Sequence, residues 1–384
     1  MNSKERREKR YERRKAEREL KRRRFNEPYD NYEKCFDFEQ IYNAFNECRK
    51  GVNWKRSTKV YSINHLKYAW ETYESLRNGK YKFKGFTEFE IMERGKKREI
   101  KAVHISDRVV QRCLCKSVIP VLSHNLIYNN GASLKGKGIT FSLNRFKCML
   151  NRHYRKYKNE GYALIIDASS YFDNLRHDVI LNILNQNFND KGIVKQAKIY
   201  LDAEDNIKGR TKGVGLGLGS QVNQIYAIAY QNKIDHFAEQ SPLIESYIRY
   251  MDDAVLISDS KEKLVKWLEQ AKSIYKELGI KLNPKKTQIV KLSKGVKFLK
   301  TMHYLKPNGE IVRTPWKKSI SVMRRKLKAF KQMMDKGILE YKAIETSYNS
   351  WLGHIKKFDA YHTIQNMDKL FNELFREVKG CIEY

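Results

Sequence analysis

The stretch Tyr250-Met251-Asp252-Asp253 constrains this chain more than any other. It stands between two runs rich in strand formers, Ile244-Glu245-Ser246-Tyr247-Ile248-Arg249 and Ala254-Val255-Leu256-Ile257-Ser258. Such runs separated by so short a step read as a tight β-hairpin with two carboxylates at its tip. Adjacent carboxylates repel, and burying them costs free energy unless a cation sits there. The usual cation for an all-oxygen site is a divalent metal ion. A solvated acidic turn would suit the same four residues, so the reading depends on a further acid.

Asp167 supplies it. Ala163-Leu164-Ile165-Ile166-Asp167 is a short apolar run ending in an acid, the pattern of a buried strand delivering a carboxylate at its C-terminal end. Phe172 and Asp173 follow shortly after.

Charge points to the partner. Lys and Arg number 77 against 44 Asp and Glu, a net charge of +33. This excess exceeds what solubility needs and suits a polyanion, nucleic acid before membrane. No apolar run is long enough for a spanning helix, and the charged N-terminus lacks the apolar core of a signal peptide. Cys35, Cys48, Cys113, Cys115, Cys148 and Cys381 make no metal-ligand spacing, so reduced thiols and a cytosolic location are expected. Residues 1–24 carry thirteen Lys/Arg and five Glu. Arg6, Arg7, Arg10, Arg13 and Arg14 recur there at helical spacing, without an apolar face to pack. They read either as a disordered tail or as an arm that orders on RNA.

The rest alternates helices and strands. Helices are expected over 36–85, from Asp107 to about Leu122, over Ile139–Tyr157, near His177–Asn187, over Ser220–Phe237 and over Lys261–Leu278, with Gly279 as C-cap and Asp107 as a cap or first-turn acid. Strands are expected over Phe86–His104, from Ile280, after Lys285, and in a hairpin around Pro307-Asn308-Gly309. From Trp316 onward the chain reads as helical. Gly136-Lys137-Gly138 lacks the pattern of a P-loop.

In order, these pieces resemble a known family. Asp167-x4-Phe172-Asp173 followed by Tyr250-Met251-Asp252-Asp253 is similar to the palm signature of reverse transcriptases. Lys97-Arg98-Glu99-Ile100 with Asp107-Arg108-Val109-Val110-Gln111 resembles their bacterial fingers segment. Lys135-Gly136-Lys137-Gly138 with Leu143 and Arg145, then Gly279-Ile280-Lys281-Leu282-Asn283-Pro284-Lys285-Lys286-Thr287, match further blocks, as does Gly295-Val296-Lys297-Phe298-Leu299 at the primer grip, where Lys300 replaces the usual Gly. Gly219-Ser220-Gln221-Val222-Asn223-Gln224 is similar to the Ser-Gln form of diversity-generating and defence-associated bacterial enzymes, with Asn223 in place of Ser. The resemblance covers about residues 90–360.

The resemblance implies an α+β right-hand polymerase fold: a basic arm (1–30), N-terminal helices and fingers (31–160), a palm of antiparallel sheet plus helices with some fingers elements (161–315) and a short helical thumb (316–384). With a thumb of this length over 316–384, no RNase H or endonuclease domain is expected behind it. Asp167, Asp252 and Asp253 are then the catalytic acids and, with the Ala168 carbonyl, the ligands of two Mg2+ ions, for which Mn2+ is a substitute. Phe172 would be the steric gate against a 2′-hydroxyl; Lys97 and Arg98 would meet the triphosphate, and Gln224 and Tyr250 the incoming nucleotide. Arg6, Arg10, Arg13, Arg14, Lys135, Lys137, Lys285, Lys286, Lys317, Lys318, Arg324, Arg325 and Trp351 would contact nucleic acid. The partners implied are an RNA template or noncoding RNA, a DNA primer or product and dNTPs, with no membrane; a homo-oligomer or partner protein stays open. The expected function is RNA-directed DNA synthesis on a dedicated noncoding RNA in a bacterial, cytoplasmic anti-phage system. The alternatives are a diversity-generating retroelement enzyme, untemplated or protein-primed synthesis, and an inactive RNA-binding scaffold.

Overall fold

The computed structural model describes residues 3–93, 96–205 and 211–380; Cys381 and the Arg98 side chain lie outside the described residues. In chain order come α1 (Ser3–Asn26), α2 (Tyr32–Cys35), α3 (Phe38–Cys48), α4 (Arg56–Ile63), α5 (His65–Arg77), β1 (Phe86–Glu93), β2 (Lys96–Val103), α6 (Ile105–His124) and α7 (Ile139–Tyr157). Then follow β3 (Tyr162–Asp167), α8 (His177–Asn187), α9 (Lys191–Asp205), α10 (Gln221–Tyr230), α11 (Asn232–Gln240), β4 (Ser246–Tyr250), β5 (Asp253–Ser258) and α12 (Lys261–Glu277). The chain ends with β6 (Gln288–Lys291), β7 (Val296–Phe298), β8 (Thr301–Leu305), β9 (Ile311–Pro315), α13 (Lys317–Asp335), α14 (Tyr341–Ile355) and α15 (Tyr361–Gly380). It divides into two compact units, residues 1–135, 168–237 and 270–282 in the first, and 136–167, 238–269 and 283–384 in the second.

In the first unit α6 is the central helix. Val109, Val110, Cys113, Leu114, Val118 and Val121 on it are all buried, as expected of a helix apolar on several faces. It packs on α3 and α10. Asp107 lies in its first turn, but His104 is the N-cap. Asp107 is buried instead, and accepts hydrogen bonds from the Tyr81 hydroxyl (2.7 Å) and the Lys84 amide (2.9 Å). Burial raises its pKa. The helix expected over Ser220–Phe237 is two helices, because the chain breaks at Gln231, the C-cap of α10. The helical expectation for 36–85 holds only to Arg77, and α9 has no counterpart among the expected helices.

The basic N-terminus forms a helix rather than a disordered tail. Exposed i,i+4 pairs such as Arg13–Glu17 (3.2 Å) and Arg23–Glu19 (2.9 Å) support it, each worth only about 0.3–0.5 kcal/mol. Its last turn is tied down: the Phe25 ring stacks on His124 at 3.9 Å, and buried Asn26 donates to the Asn187 carbonyl at 3.0 Å. An open cavity of about 1010 Å³ lies between this helix and His124–Asn125, lined by Arg7, Arg10, Arg14, Arg18 and Arg22.

The second unit holds an antiparallel sheet in the order β4-β5-β3-β6. Leu143, Phe146, Met149 and Leu150 of α7 pack with Ala163, Ile248, Val255 and Ile257 in one core that also takes in residues of β7–β9. Buried His153 presents its two ring nitrogens to the Glu245 carboxylate (2.5 Å) and the Glu160 carbonyl (2.6 Å), tying α7 to the segments that enter β3 and β4. Gly161 makes room for it: at φ +120°, a Cβ there would lie 2.5 Å from His153 Nε2. The strand expected from Ile280 is reduced to one bridge, Leu282 to Ala168, within the first unit. In the second, β7, β8 and β9 form a separate antiparallel sheet. Leu299 and Lys300 join β7 to β8 at φ +48° and +60°, so Lys300 occupies a left-handed position that favours the glycine it replaces. Helices α13–α15 enclose Met323, Leu327, Ile344, Tyr348, Met367, Phe371 and Phe375. Truncating a buried side chain such as Leu327 to Ala would cost about 2–5 kcal/mol.

Cys35, Cys48, Cys113 and Cys115 are buried free thiols and Cys148 is an exposed one. Among the described residues no helix is long and apolar enough to cross a membrane.

Candidate active site

Local sequence builds the acidic cluster in the second unit. β3 is apolar along its length because Ala163, Leu164 and Ile166 are all buried, and it ends on Asp167. β5 runs antiparallel to it in a register that sets Asp167 opposite Asp253. β4 pairs with β5 and closes on Tyr250 opposite Asp253, leaving Met251 and Asp252 as the two-residue turn. Met251 takes a left-handed φ of +54°, which costs roughly 1 kcal/mol for a residue other than Gly. The fully buried Arg249 guanidinium donates to the Met251 carbonyl at 2.9 Å and holds that turn.

The electrostatics are those of a concentrated negative site. Asp253 is pushed up to about 6, first by burial, then by Asp252 and Asp167. Burial also raises Asp252, with Asp167 adding to it. Lys286 opposes both shifts, Lys297 that of Asp253 and Arg249 that of Asp252. Lys286 is delivered by a turn built on Asn283. The Asn283 amide donates to the Asp167 carbonyl at 2.8 Å, and the Lys286 and Thr287 amides donate back to the Asn283 carbonyl. The Lys286 ammonium then lies 2.9 Å from each Asp167 carboxylate oxygen.

Among the described residues no three His, Cys, Asp or Glu side chains converge as a ready ion cage. The donor set nonetheless fits divalent cations. Burial and neighbouring acids oppose the ionised forms of Asp252 and Asp253, and on Asp167 an ammonium already serves as the positive charge. All the candidate ligands are oxygens, as hard cations prefer.

The structure gathers Asp167, Asp252, Asp253 and half-buried Tyr250 at one end of a sheet. Lys285, expected on nucleic acid, is exposed, whereas its chain neighbour Lys286 joins the carboxylates. Lys286, Lys297, Arg249 and Asn283 were not foreseen in the cluster; the Asn283-Pro284 turn after a strand-like run was the signal available for Lys286. Ala168, Phe172, Gln224, Lys97 and Arg98 belong to the first unit. Ala168 is buried; Phe172 begins a single 3₁₀ turn, half-buried with its ring edge-on to Tyr171; Gln224 is half-buried on α10. Lys97 is exposed and pairs with Glu90 at 2.7 Å, and Arg98 stands opposite Ile91 in the β1–β2 register.

The basic residues expected on nucleic acid are largely on the surface. Arg6, Arg10, Arg13 and Arg14 are exposed on α1, as are Lys317, Lys318, Arg324 and Arg325 on α13, and Lys135 before α7. Lys137 lies 5.4 Å over the Phe141 ring. Trp351 differs: it is half-buried, stacks on Tyr348 at 5.8 Å and packs on the α13–α15 core. The Trp316 ring carries the Lys297 ammonium at 3.7 Å and that of Lys318 at 5.8 Å, an arrangement missed from sequence.

A hairpin of paired aspartates beside a third on the neighbouring strand is the arrangement of a nucleotide polymerase palm. Residues 84–302 match the family described as "Reverse transcriptase (RNA-dependent DNA polymerase)". The chain belongs to that family, whose members use divalent metal ions, and its mixed helices and antiparallel sheets are those of the right-hand polymerase fold. It is 22% identical over 213 residues to the "Putative COX1/OXI3 intron 2 protein" of Saccharomyces cerevisiae, a match covering 53% of this chain and 24% of that protein. The chain thus spans about a quarter of the curated relative it matches. The structure of apo telomerase from Candida tropicalis, truncated from its C-terminal domain, is similar with a TM-score of 0.46 and 14% identity, over 60% of this chain and 55% of that one.

Proposed function

We propose that this chain is an RNA-directed DNA polymerase that extends a DNA primer with deoxynucleotides. The observation that carries the proposal is the register that sets Asp167 opposite Asp253, with Asp252 in the adjoining turn. Asp167, Asp252 and Asp253 would hold two Mg2+ ions, which when bound stabilise the attacking and leaving oxygens of an in-line displacement at phosphorus. The protein contributes the placement of these acids. β3 and β5 align two of them, and Arg249 keeps the Met251 turn from relaxing and carrying Asp252 away. Lys286 offsets the charge of Asp167 before substrate arrives and offers a mobile cation to the phosphates afterwards. Lys97 and Arg98 meet the triphosphate, the Phe172 ring excludes a 2′-hydroxyl, and Gln224 and Tyr250 meet the nascent pair.

The template in this reading is a dedicated noncoding RNA, held in part by α1. The arginine-lined cavity beside α1 supports this, because Arg suits phosphate contacts and the helix lies outside the family match. A bacterial anti-phage system is the setting we favour, on the likeness of the Asn223-Gln224 pair to the Ser-Gln form of defence-associated enzymes, a form that diversity-generating enzymes share. The experiment is primer extension on an RNA template with the parent, Asp167→Ala and Asp252→Ala. Loss of incorporation in both, with melting behaviour retained, is expected; wild-type extension by both variants would sink the assignment.

A further inference from the structure

The glycine-rich turn from Gly213 to Gly219 is held from two sides within the first unit. On one side the Leu216 amide donates to the Phe172 carbonyl (2.8 Å), the Gly215 amide to the Leu175 carbonyl (2.7 Å) and the His177 amide to the Gly213 carbonyl (2.9 Å). On the other side stand the last two residues of α9. Asp205 accepts from the Gly213 amide at 2.7 Å. Glu204 accepts from the Gly217 amide at 3.0 Å through one oxygen and from the Asn223 side-chain amide at 2.8 Å through the other. That same Asn223 nitrogen also donates to the Gly217 carbonyl at 2.9 Å.

Glu204 is 3% exposed and Asn223 4%. A buried carboxylate is tolerated because N–H donors meet it, and such charge-assisted bonds are roughly twice as strong as neutral ones. Gly217 permits the approach: a Cβ there would lie 2.9 Å and 3.0 Å from the two Glu204 oxygens. The network also gives a physical reason for an Asn at position 223. A primary amide has two protons and serves both Glu204 and Gly217, whereas a hydroxyl has one.

We propose that Glu204, acting through Gly217 and Asn223, is a positioning residue for nucleotide selection that sets Phe172 and Gln224 relative to each other. The proposal rests on the reading of Phe172 and Gln224 given above. The physical link is short. Leu216, bonded to the Phe172 carbonyl, is the chain neighbour of Gly217; Asn223, bonded to Gly217, is the chain neighbour of Gln224. Glu204 closes the circuit, so displacement of its carboxylate moves the turn and with it both selecting side chains. Glu204→Gln preserves shape but puts an NH₂ where either the Gly217 or the Asn223 N–H donates, leaving donor facing donor.

The test is steady-state kinetics on a primed RNA template with matched deoxynucleotides, matched ribonucleotides and mismatched deoxynucleotides. The variants are Glu204→Gln, Asn223→Ser, the double variant Glu204→Gln/Asn223→Asp, and Asp202→Asn as an exposed control on the same helix. Melting curves accompany each. Each single variant should lose about tenfold in discrimination through nucleotide KM, while kcat for the matched deoxynucleotide changes less than about threefold. In the double variant the amide introduced at position 204 can donate to the carboxylate introduced at position 223, which restores the bond between these two positions but not the one to the Gly217 carbonyl. It should recover part of the loss, and Asp202→Asn should match the parent. Should Glu204→Gln not fold, the milder Asn223→Ser carries the test. Unchanged discrimination in folded single variants, or equal loss with all three nucleotide classes, overturns the proposal. A parent without DNA synthesis defeats the polymerase reading instead.

Discussion

Asp253→Asn should make the metal-free protein more stable while removing its activity. Asp253 is raised from 3.8 to about 6, with burial as the leading cause and Asp252 and Asp167 behind it. One pKa unit is worth about 1.4 kcal/mol, so ionised Asp253 costs the folded state about 3 kcal/mol. The sign follows from proton binding. Between roughly pH 4 and pH 6 the folded protein holds a proton that the unfolded chain has released, so stability falls as pH rises through this window. The penalty is fully present above about pH 6 and absent below about pH 4. An amide does not ionise, so the gain of Asp253→Asn should be close to 3 kcal/mol at pH 7.5, an upper figure because Asp252 shares the repulsion, and should vanish near pH 4. In a chain of this size that corresponds to a rise in Tm of about 4 °C. The assay is thermal unfolding of parent and variant in EDTA across that pH range, repeated with Mg2+. The ion should raise the Tm of the parent far more than that of the variant. Equal melting of the two proteins at pH 7.5 in chelator would refute the idea that these acids are held together against their own repulsion.

Lys286→Ala should lower kcat for primer extension at least about tenfold with the fold intact, since the side chain is exposed and its contact is with Asp167; unchanged extension would reduce Lys286 to a surface partner. It should also lower the neutral-pH Tm in EDTA, because Lys286 opposes the raised pKa values of Asp252 and Asp253. Phe172→Val should raise ribonucleotide incorporation at least about tenfold over the parent, read as the ratio of kcat/KM values; no change would make Phe172 a packing residue. Deleting residues 1–24 should weaken binding of the RNA that copurifies with the protein and flatten its dependence on salt, because fewer counterions are released; an unchanged slope would remove α1 from the RNA-binding surface.

Much of the candidate site is legible in sequence because it is local. Hydrophobic runs ending in Asp167 and flanking Asp252-Asp253 specify strands and a tight turn through periodicity alone, and β3, β4 and β5 appear where those runs stand. Helices α7, α8 and α12 follow from their apolar stripes, and the helical end of the chain resolves into α13, α14 and α15. The break at Gln231 is not legible, since nothing like Pro or Gly marks it. Asp107 reads as a cap or first-turn acid alone because its true partners, Tyr81 and Lys84, lie on another segment. Trp351 reads as a nucleic-acid contact, and its stacking on Tyr348 is not legible because it depends on how α14 faces α13 and α15.

The sequence by itself determined which acids are present, that each sits at a strand end or turn, and that the surface is strongly basic. Only the tertiary structure decided that Asp167 faces Asp253, that Lys286 reaches Asp167, that a buried Arg249 holds the Met251 turn, and that Glu204 grips Gly217 and Asn223. The physical reason is range. Helix and strand periodicity is set by neighbours within a few residues. The meeting of side chains more than a hundred residues apart, such as Asp167 and Lys286, is set by strand order and register, β4-β5-β3-β6, which hydrophobic burial selects for the sheet as a whole.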